Sequence, residues 1–171
     1  MKRNPYLNYT RLPMENAYNV RELGGYATKK GSVTIHHQFL RSENLTDITE
    51  EDKMFLIEYG LSGIIDLRSR EEALIYPNPF RGNNAVKYIN CPLITDGILD
   101  LRAVKEVGFD PGEFYVKLVE YKEMLYKIFH FILDNIDGCL LFHCQAGKDR
   151  TGVLAMILMG LAGHLCASFI T

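Results

Sequence analysis

The chain has 171 residues, of which 47% are hydrophobic and 23% charged, with a formal net charge of −2. These values suit one globular domain over residues 1–171 and argue against a protein whose main role is to hold nucleic acid, which would be basic. The sequence holds no secretory signal and no apolar run that could span a bilayer, so we expect a cytoplasmic protein without integral membrane contact. The cysteines and histidines show no metal-ligand spacing, so no metal or cofactor is expected.

Predicted strands and helices alternate along the chain. In chain order they are a hairpin of residues 26–28 with 33–35, a strand at 38–41, a helix from about 46 to 59, a strand at 62–67, a short helix at 69–76, a strand at 86–91, a loop at 92–112, a long helix at 113–135, a strand at 139–143 and a helix at 151–161. The long helix rests on apolar residues at three- and four-residue spacing. This alternation predicts an α/β fold with a mostly parallel central sheet flanked by helices.

The segment HCQAGKDRTG, residues 143–152, carries the chemistry. It lies between the apolar strand CLLFH and the last predicted helix. Backbone amides at a helix start lack partners and, with the helix dipole, form an anion site. A thiol in that field ionises readily, which makes Cys144 a candidate nucleophile. Arg150 can bind two phosphate oxygens through its planar fork, and Gly147 lets the loop of residues 144–150 (loop 144–150) curl around a ligand.

A nucleotide-binding phosphate loop is excluded by comparison with its motif, G-x-x-x-x-G-K-[ST]. Gly147 and Lys148 match that pattern. Phe142 stands in place of the first glycine, and Asp149 stands in place of the magnesium-binding Ser or Thr.

The motif H-C-x-x-G-K-D-R-T-G resembles the signature of cysteine-dependent phosphatases of the protein tyrosine phosphatase superfamily. It is most similar to the bacterial tyrosine/serine phosphatases with lipid phosphatase relatives. Three other segments fit that branch: NVRELGG at 19–25, FLRS at 39–42 and IDLRS at 65–69. The likeness runs from about residue 16 to 163. The resemblance also implies helices after residue 163 that have no counterpart here, so we expect a fold shortened at its C-terminus.

The resemblance implies a mechanism without a metal. Cys144 would accept the phosphoryl group, and Arg150 with the amides of loop 144–150 would bind its oxygens. His143 would orient the loop and favour the thiolate, and Thr151 would donate a hydrogen bond to the sulfur. The substrate-binding residues are then Gln145, Ala146, Gly147, Lys148 and Asp149.

Two aspartates are candidates for the general acid that protonates the leaving oxygen. Asp96 lies in the loop after the strand at 86–91, where this family tends to carry its acid, although Asp-Gly is also an ordinary turn pair. Asp149 lies in the phosphate loop itself. Asp66 and Arg68 we interpret as a supporting ion pair at the end of a strand.

The expected activity is hydrolysis of phosphotyrosine, with phosphoserine, phosphothreonine or phosphoinositides as further substrates. The partner is then a phosphorylated protein or a phosphoinositide, and the sequence does not indicate an oligomeric state. The alternative is a phosphate-binding module that retains the loop but turns over poorly. A sulfur- or arsenate-handling loop is a third reading, against which the run GKDRTG argues.

Overall fold

The computed structural model describes residues 10–93 and 111–164. The described strands are β1 (Arg21–Glu22), β2 (Phe39–Ser42), β3 (Leu61–Asp66), β4 (Lys87–Asn90) and β5 (Cys139–His143). The described helices are α1 (Glu50–Glu58), α2 (Arg70–Ile75), α3 (Pro111–Glu120), α4 (Lys122–Leu133) and α5 (Asp149–Leu161). These elements confirm the predicted alternation of strands and helices.

The strands form one sheet in the order β1-β2-β5-β3-β4. All neighbours are parallel except β1 and β2, which pair antiparallel. The fold is therefore α/β with a mostly parallel sheet, as predicted. β5 lies at the centre of the sheet and all five of its residues are buried, which agrees with its continuous apolar sequence.

Each face of the sheet is covered by an apolar cluster. The first cluster joins the sheet to α3, α4 and α5 through Leu118, Ile128, Ile132 and Leu154. The second joins the opposite face to α1 and to the segment before β1, through residues such as Leu12, Val20 and Leu56. The apolar surface buried on both faces stabilises the fold by about 25 cal/mol per Å². This burial fixes which side chains of each strand point to each face of the sheet.

Two short helices begin at capping boxes. Thr49 caps α1 with Asp52, and Ser69 caps α2 with Glu72; in each pair the side chains bond reciprocally to backbone N–H groups. The predicted start of the first helix at residue 46 is therefore too early. The acids in the first turn of α1 also suit the positive end of the helix dipole.

The long helix predicted over 113–135 is wrong, because the chain forms two helices that meet at Tyr121. This residue has φ −74° and ψ 65°, which is not helical. Both helices have apolar residues at three- and four-residue spacing. Because this spacing continues across Tyr121, the sequence does not indicate the break. The two helices pack differently: α3 contacts α5, and α4 buries Ile128 and Ile132.

The hairpin predicted for 26–28 and 33–35 forms as a turn with an isolated antiparallel bridge between Ala27 and Val33. Its backbone hydrogen bonds join Tyr26 to Thr34 and Thr28 to Ser32. Gly25 lies just before it with φ +81°, in a conformation that favours glycine.

Candidate active site

The candidate site lies at the sheet edge where the parallel strands end. The register aligns the last residues of four strands across this edge: Ser42, His143, Asp66 and Asn90. Loop 144–150 leaves β5 at the centre of the row and leads into α5. Open α/β sheets bind ligands at the carboxyl ends of their strands, so the topology places the motif where a ligand site is expected.

Four successive carbonyls of the loop are held by groups outside it. The donor and acceptor pairs are His143 Nδ1 with Cys144 O at 3.1 Å, Asn44 N with Gln145 O at 3.0 Å, Asn19 Nδ2 with Ala146 O at 3.3 Å, and Arg41 Nη2 with Gly147 O at 2.7 Å. In a trans peptide the N–H points opposite to the C=O, so anchoring each carbonyl turns the next N–H to the other side. The amides of residues 145–148 therefore face the inside of the loop.

These inward amides donate no hydrogen bond within residues 10–93 and 111–164. Lys148 is the N-cap of α5 and makes no side-chain cap bond, and Asp149 and Arg150 form the first turn. The helix thus begins two residues earlier than the predicted Thr151. Unpaired amides, together with about half a positive charge from the helix dipole, form a site for an anion.

Gly147 is required at the tip of the loop. It has φ +67°, and a Cβ built there would lie 2.7 Å from the Ser42 carbonyl group and from Glu43 N. Any side chain would therefore clash with the backbone that follows β2. The glycine lets the loop pack against β2 and so brings Arg41 within reach of its carbonyl.

Arg150 is nearly buried and is paired with Glu72. Its Nη1 and Nη2 lie 2.7 and 3.0 Å from the two carboxylate oxygens. Burial disfavours its charge, but the hydrogen bond and attraction of Glu72 raise the pKa of Arg150 above its ordinary value. Glu72 uses the outer edge of the guanidinium, and the Nε–H carries no partner among the described residues. This edge is free to bind phosphate oxygens.

His143 is completely buried, and burial lowers its pKa, against the opposing attraction of Asp66. Its Nε2 lies 3.0 Å from the Asn78 side-chain nitrogen, which can only donate. Nε2 therefore accepts, and Nδ1–H donates to the Cys144 carbonyl. A neutral His143 orients the loop by this bond and adds no positive charge to it.

Asp66 and Arg68 form the predicted ion pair, at 2.7 Å and fully buried. Burial disfavours ionisation of Asp66, but the hydrogen bonds of Arg68 hold the pKa of the carboxyl below its usual value. Arg68 Nη1 also donates to Asn44 Oδ1 at 3.0 Å, and the Asn44 N–H holds Gln145 O. The pair thus supports the loop through one intermediate residue.

The other predicted site residues occupy different environments. Gln145 Oε1 and Thr151 Oγ1 are buried and have no hydrogen-bond partner in the described part of the chain. The bond expected between Thr151 and the Cys144 sulfur is therefore not confirmed. Asp149 is exposed and accepts a 2.7 Å hydrogen bond from Tyr115 on α3. Asp96 lies outside the described residues.

Cys144 differs from the other described cysteines. Burial raises the pKa of Cys91 to about 11 and that of Cys139 to about 12, so both remain thiols at neutral pH. Cys144 is buried at the start of loop 144–150, where Arg41 and Arg150 interact with it electrostatically. It is the described cysteine that lies in loop 144–150 beside two arginine side chains.

Sequence reasoning gave no role to three residues that support the loop, Asn19, Arg41 and Glu72. Asn19 and Arg41 lie inside segments that fit the family branch, but their target is more than 100 residues away. For Glu72 a local signal exists, since the S-x-x-E pattern of Ser69 and Glu72 predicts a capping box. Nothing in that pattern predicts that the same carboxylate also binds Arg150.

Within residues 10–93 and 111–164, no group of three or more His, Cys, Asp or Glu side chains is arranged to hold a metal ion. The same residues include no helix of the length and apolar character needed to cross a membrane.

Comparison with known proteins agrees with this geometry. A family profile described as "Tyrosine phosphatase family" matches residues 12–165. A tyrosine-protein phosphatase of Nostoc commune is 34% identical over 127 residues, which cover 73% of this chain and 43% of that protein. A provisionally named tyrosine-protein phosphatase of Cupriavidus necator is 26% identical over 159 residues, 89% of this chain and 58% of that protein.

The chain spans about half the length of these curated relatives. The match nevertheless extends over most of the described residues and includes the whole of loop 144–150 with its supports. The chain therefore belongs to the tyrosine phosphatase family.

Proposed function

We propose that the chain is a cysteine-dependent phosphomonoester hydrolase that acts mainly on phosphotyrosine. The observation that carries this proposal is the outward anchoring of four successive loop carbonyls, which turns the amides of residues 145–148 towards one point. Amides preorganised in this way stabilise negative charge on a phosphoryl group without reorganising during the reaction. Cys144 lies at the base of the same loop.

The reaction divides into two displacements at phosphorus. The Cys144 thiolate attacks phosphorus, the ester oxygen leaves with a proton from a general acid, and a cysteinyl-phosphate forms. Water then attacks phosphorus, loses a proton to the conjugate base and restores the thiolate. In both steps the loop amides and the Nε edge of Arg150 bind the equatorial oxygens.

The experiment that tests this function measures hydrolysis of p-nitrophenyl phosphate by the chain and by its Cys144→Ser variant. We expect turnover by the wild-type chain and none above background by the variant, while inorganic phosphate still binds to both. Phosphate binding without hydrolysis by the wild-type chain would instead establish the alternative, a binding module that retains the loop.

The general acid is either Asp96 or Asp149. Asp149 is in the first turn of α5 at the rim of the loop, with Tyr115 donating to Oδ1. Asp96 is supported by the family resemblance. A general acid contributes about 10²- to 10⁴-fold, and mainly for poor leaving groups. The rates of Asp96→Asn and Asp149→Asn should therefore be measured on phenyl phosphate and on p-nitrophenyl phosphate. The general acid is the residue whose substitution slows hydrolysis of phenyl phosphate, the poorer leaving group, selectively.

Substrate class is the finer part of the proposal. We infer phosphotyrosine as the main substrate, with phosphoserine, phosphothreonine and phosphoinositides as side substrates. Support comes from the names of the two relatives, both tyrosine-protein phosphatases, and from the exposed Lys148 at the rim of the loop. Rates measured side by side on one peptide in its three phosphorylated forms and on a short-chain phosphoinositide test the order.

A further inference from the structure

Asn78 is a buried amide whose orientation the chain fixes. It lies in the loop after α2, between Pro77 and Pro79. Its Oδ1 accepts a 2.9 Å hydrogen bond from the Phe80 N–H, and the Phe80 side chain is completely buried in the apolar cluster on the α1 side of the sheet. Because the oxygen takes that donor, the Nδ2 group is the part of the amide that faces His143, at 3.0 Å from Nε2.

A carboxylate competes with Asn78 for the same ring nitrogen. Asp66 Oδ2 lies 3.6 Å from His143 Nε2, and both side chains are completely buried. A carboxylate this close favours a proton on Nε2, either by drawing the proton away from Nδ1 or by stabilising the imidazolium. The Asn78 amide opposes both forms, because its own N–H points at the Nε2 lone pair and needs that nitrogen as an acceptor.

Both oxygens of Asp66 already accept hydrogen bonds from other groups. Oδ1 accepts from the Arg68 N–H at 3.0 Å and from Arg68 Nε at 2.9 Å. Oδ2 accepts from Arg68 Nη2 at 2.7 Å and from the Tyr88 hydroxyl at 2.8 Å. A carboxylate offers about four lone-pair sites, so these four donors satisfy Asp66 without a bond from His143. The network therefore leaves the Nε2 atom of His143 to Asn78.

The other neighbours of His143 oppose a positive charge on the ring or are neutral. Arg68, which follows β3, and Arg150, in α5, carry positive charges that lower the pKa of the imidazole in addition to the larger effect of burial. From β2 the register partner is Ser42, a buried hydroxyl. On the loop side, Nδ1 lies 3.1 Å from the Cys144 carbonyl oxygen, which requires a hydrogen on Nδ1 but none on Nε2.

We propose that Asn78 is a positioning residue of the phosphatase reaction, which holds His143 as the neutral tautomer with its hydrogen on Nδ1. This tautomer donates to the Cys144 carbonyl, the first of the four anchored carbonyls of loop 144–150. The opposite tautomer would place a bare Nδ1 against that carbonyl oxygen, and two acceptors form no bond. The inward direction of the first loop amide therefore depends on a side chain in the loop after α2. The inference rests on the proposed function, because it takes loop 144–150 as the site of the reacting phosphate.

The first measurement reads the protonation state of His143 directly. Heteronuclear NMR spectra of the histidine rings distinguish the two neutral tautomers from the imidazolium, and the His143→Gln variant assigns the signal by its loss. We expect His143 of the wild-type chain to keep the Nδ1–H form from about pH 5 to 8, the range in which an ordinary histidine titrates. An imidazolium or an Nε2–H tautomer in the wild-type chain would overturn the proposal.

Asn78→Asp keeps the shape of the side chain and the acceptor for the Phe80 N–H, but replaces the donor at Nε2 by a carboxylate oxygen. A carboxylate raises the pKa of a neighbouring imidazole, so His143 should carry both hydrogens at neutral pH in this variant. When the pH rises and one hydrogen is lost, the other should remain on Nε2 between the carboxylates. The pH profile of kcat on p-nitrophenyl phosphate should then gain a limb that falls as His143 titrates, which the wild-type profile lacks.

Asn78→Leu removes the donor without adding an acceptor. Nε2 is then left to Asp66, and the ring should shift its hydrogen from Nδ1 to Nε2. The bond to the Cys144 carbonyl is lost in that tautomer, so kcat should fall about two- to tenfold, the effect of one buried hydrogen bond. Asn78→Asp should retain more of kcat than Asn78→Leu at low pH, because its imidazolium still carries the Nδ1 hydrogen.

Two controls separate the role of Asn78 from general effects of charge and packing. Asn83→Asp makes the same change in the same loop, on an exposed residue whose Oδ1 accepts two backbone N–H bonds, and should leave the His143 spectrum and the pH profile as in the wild-type chain. Tyr88→Phe removes one donor from Asp66 and leaves Asn78 in place, so the Nδ1–H tautomer should persist. A shift to Nε2–H in Tyr88→Phe would assign control of the ring to Asp66 and overturn the proposal.

An unchanged Nδ1–H tautomer in both Asn78→Asp and Asn78→Leu would show that the Cys144 carbonyl alone holds the ring, and would also overturn the proposal. The proposed function survives that result if p-nitrophenyl phosphate is hydrolysed and Cys144→Ser abolishes it. The spectra report the tautomer without turnover, so a chain that does not hydrolyse the ester tests Asn78 all the same. If Asn78→Leu does not fold, the spectra of the wild-type chain and of Asn78→Asp decide.

Discussion

The arginines on the two sides of loop 144–150 have different partners. On the β3 side each buried arginine meets a carboxylate: Arg68 pairs with Asp66 at 2.7 Å, and Arg150 pairs with Glu72 at 2.7 Å. On the β2 side Arg41 meets a carbonyl oxygen and a second arginine. Both sides anchor the loop, but among the described residues only the β3 side pairs its arginines with carboxylates.

This difference assigns separate physical roles to the two sides. A buried pair such as Asp66 with Arg68 fixes geometry, and removing one partner is costly because a charge is left uncompensated. Cations without acids leave a positive potential at the loop, which attracts anions. We therefore expect substitutions on the β3 side to affect folding most, and substitutions on the β2 side to affect reactivity and ligand choice.

The largest effect should come from Asp66→Asn, which leaves Arg68 buried and unpaired. Removing one partner of a buried ion pair costs about 3–5 kcal/mol of the free energy of unfolding. Urea denaturation of both proteins measures the loss. Glu113→Gln, which breaks the exposed pair with Lys117, is the matched control and should unfold like the wild-type chain. A small loss for Asp66→Asn would mean that the ion pair does not stabilise the β3 side of the loop.

The same pair gives a pH dependence. The pKa of Asp66 is lower in the folded chain than in the unfolded one. Its ionised form therefore stabilises the fold above the unfolded-state pKa of about 3.9. This contribution is lost as the pH falls through the lower, folded-state pKa. The free energy of unfolding of the wild-type chain should thus fall more steeply on acidification than that of Asp66→Asn.

The second-largest effect should come from Arg150→Lys, also on the β3 side of the loop. Lysine keeps the charge but cannot bind Glu72 through two nitrogens and offer an Nε edge to phosphate as well. Loss of one oxyanion donor typically costs about 10²- to 10³-fold in kcat. Steady-state kinetics on p-nitrophenyl phosphate check this expectation, with Arg70→Lys on the surface of α2 as the control. Near-normal kinetics would place Arg150 outside the reaction.

The contiguous part of the site could be predicted from the sequence. Cys144, Gly147 and Arg150 fall within seven residues, and the strand before them and the helix after them are set by local patterns. The supports could not be predicted this way. Arg41 and Gly147 are 106 positions apart, and Arg150 and Glu72 are 78 apart. Such contacts depend on strand order and register, and no local periodicity encodes either.

The break at Tyr121 has a similar origin. Neither a proline nor a glycine marks it, and the apolar spacing of α3 and α4 is continuous in the sequence. The chain bends there so that α3 can pack on α5 while α4 buries its own apolar face. Tertiary packing therefore overrides a pattern that, taken alone, favours one helix. Helix α3 carries Tyr115, whose bond to Asp149 depends on that placement.

On the β2 side, Arg41→Gln should slow alkylation of Cys144 by iodoacetate about three- to tenfold at fixed pH, because a charge that interacts with the sulfur is removed. Arg41→Lys keeps the charge and should retain most of the rate, although both variants lose the fork that holds Gly147 O. Mass spectrometry of the alkylated peptide confirms the site, and phosphate should protect it. Equal rates in Arg41→Gln and the wild-type chain would mean that the unpaired charges of this side do not reach the thiol.

The smallest effect concerns Lys148, the exposed cation at the rim of the loop. A Lys148 side chain that only neutralised Asp149 would not select between substrates. In the described residues, however, the partner of Asp149 is Tyr115. A rim cation is well screened by solvent, so its contribution to binding should be no more than about 1 kcal/mol, or roughly fivefold.

Lys148→Ala should therefore lower the rate on a short-chain phosphoinositide a few-fold more than the rate on a phosphotyrosine peptide. Equal losses on both substrates in Lys148→Ala would show that Lys148 acts on the reacting phosphate alone.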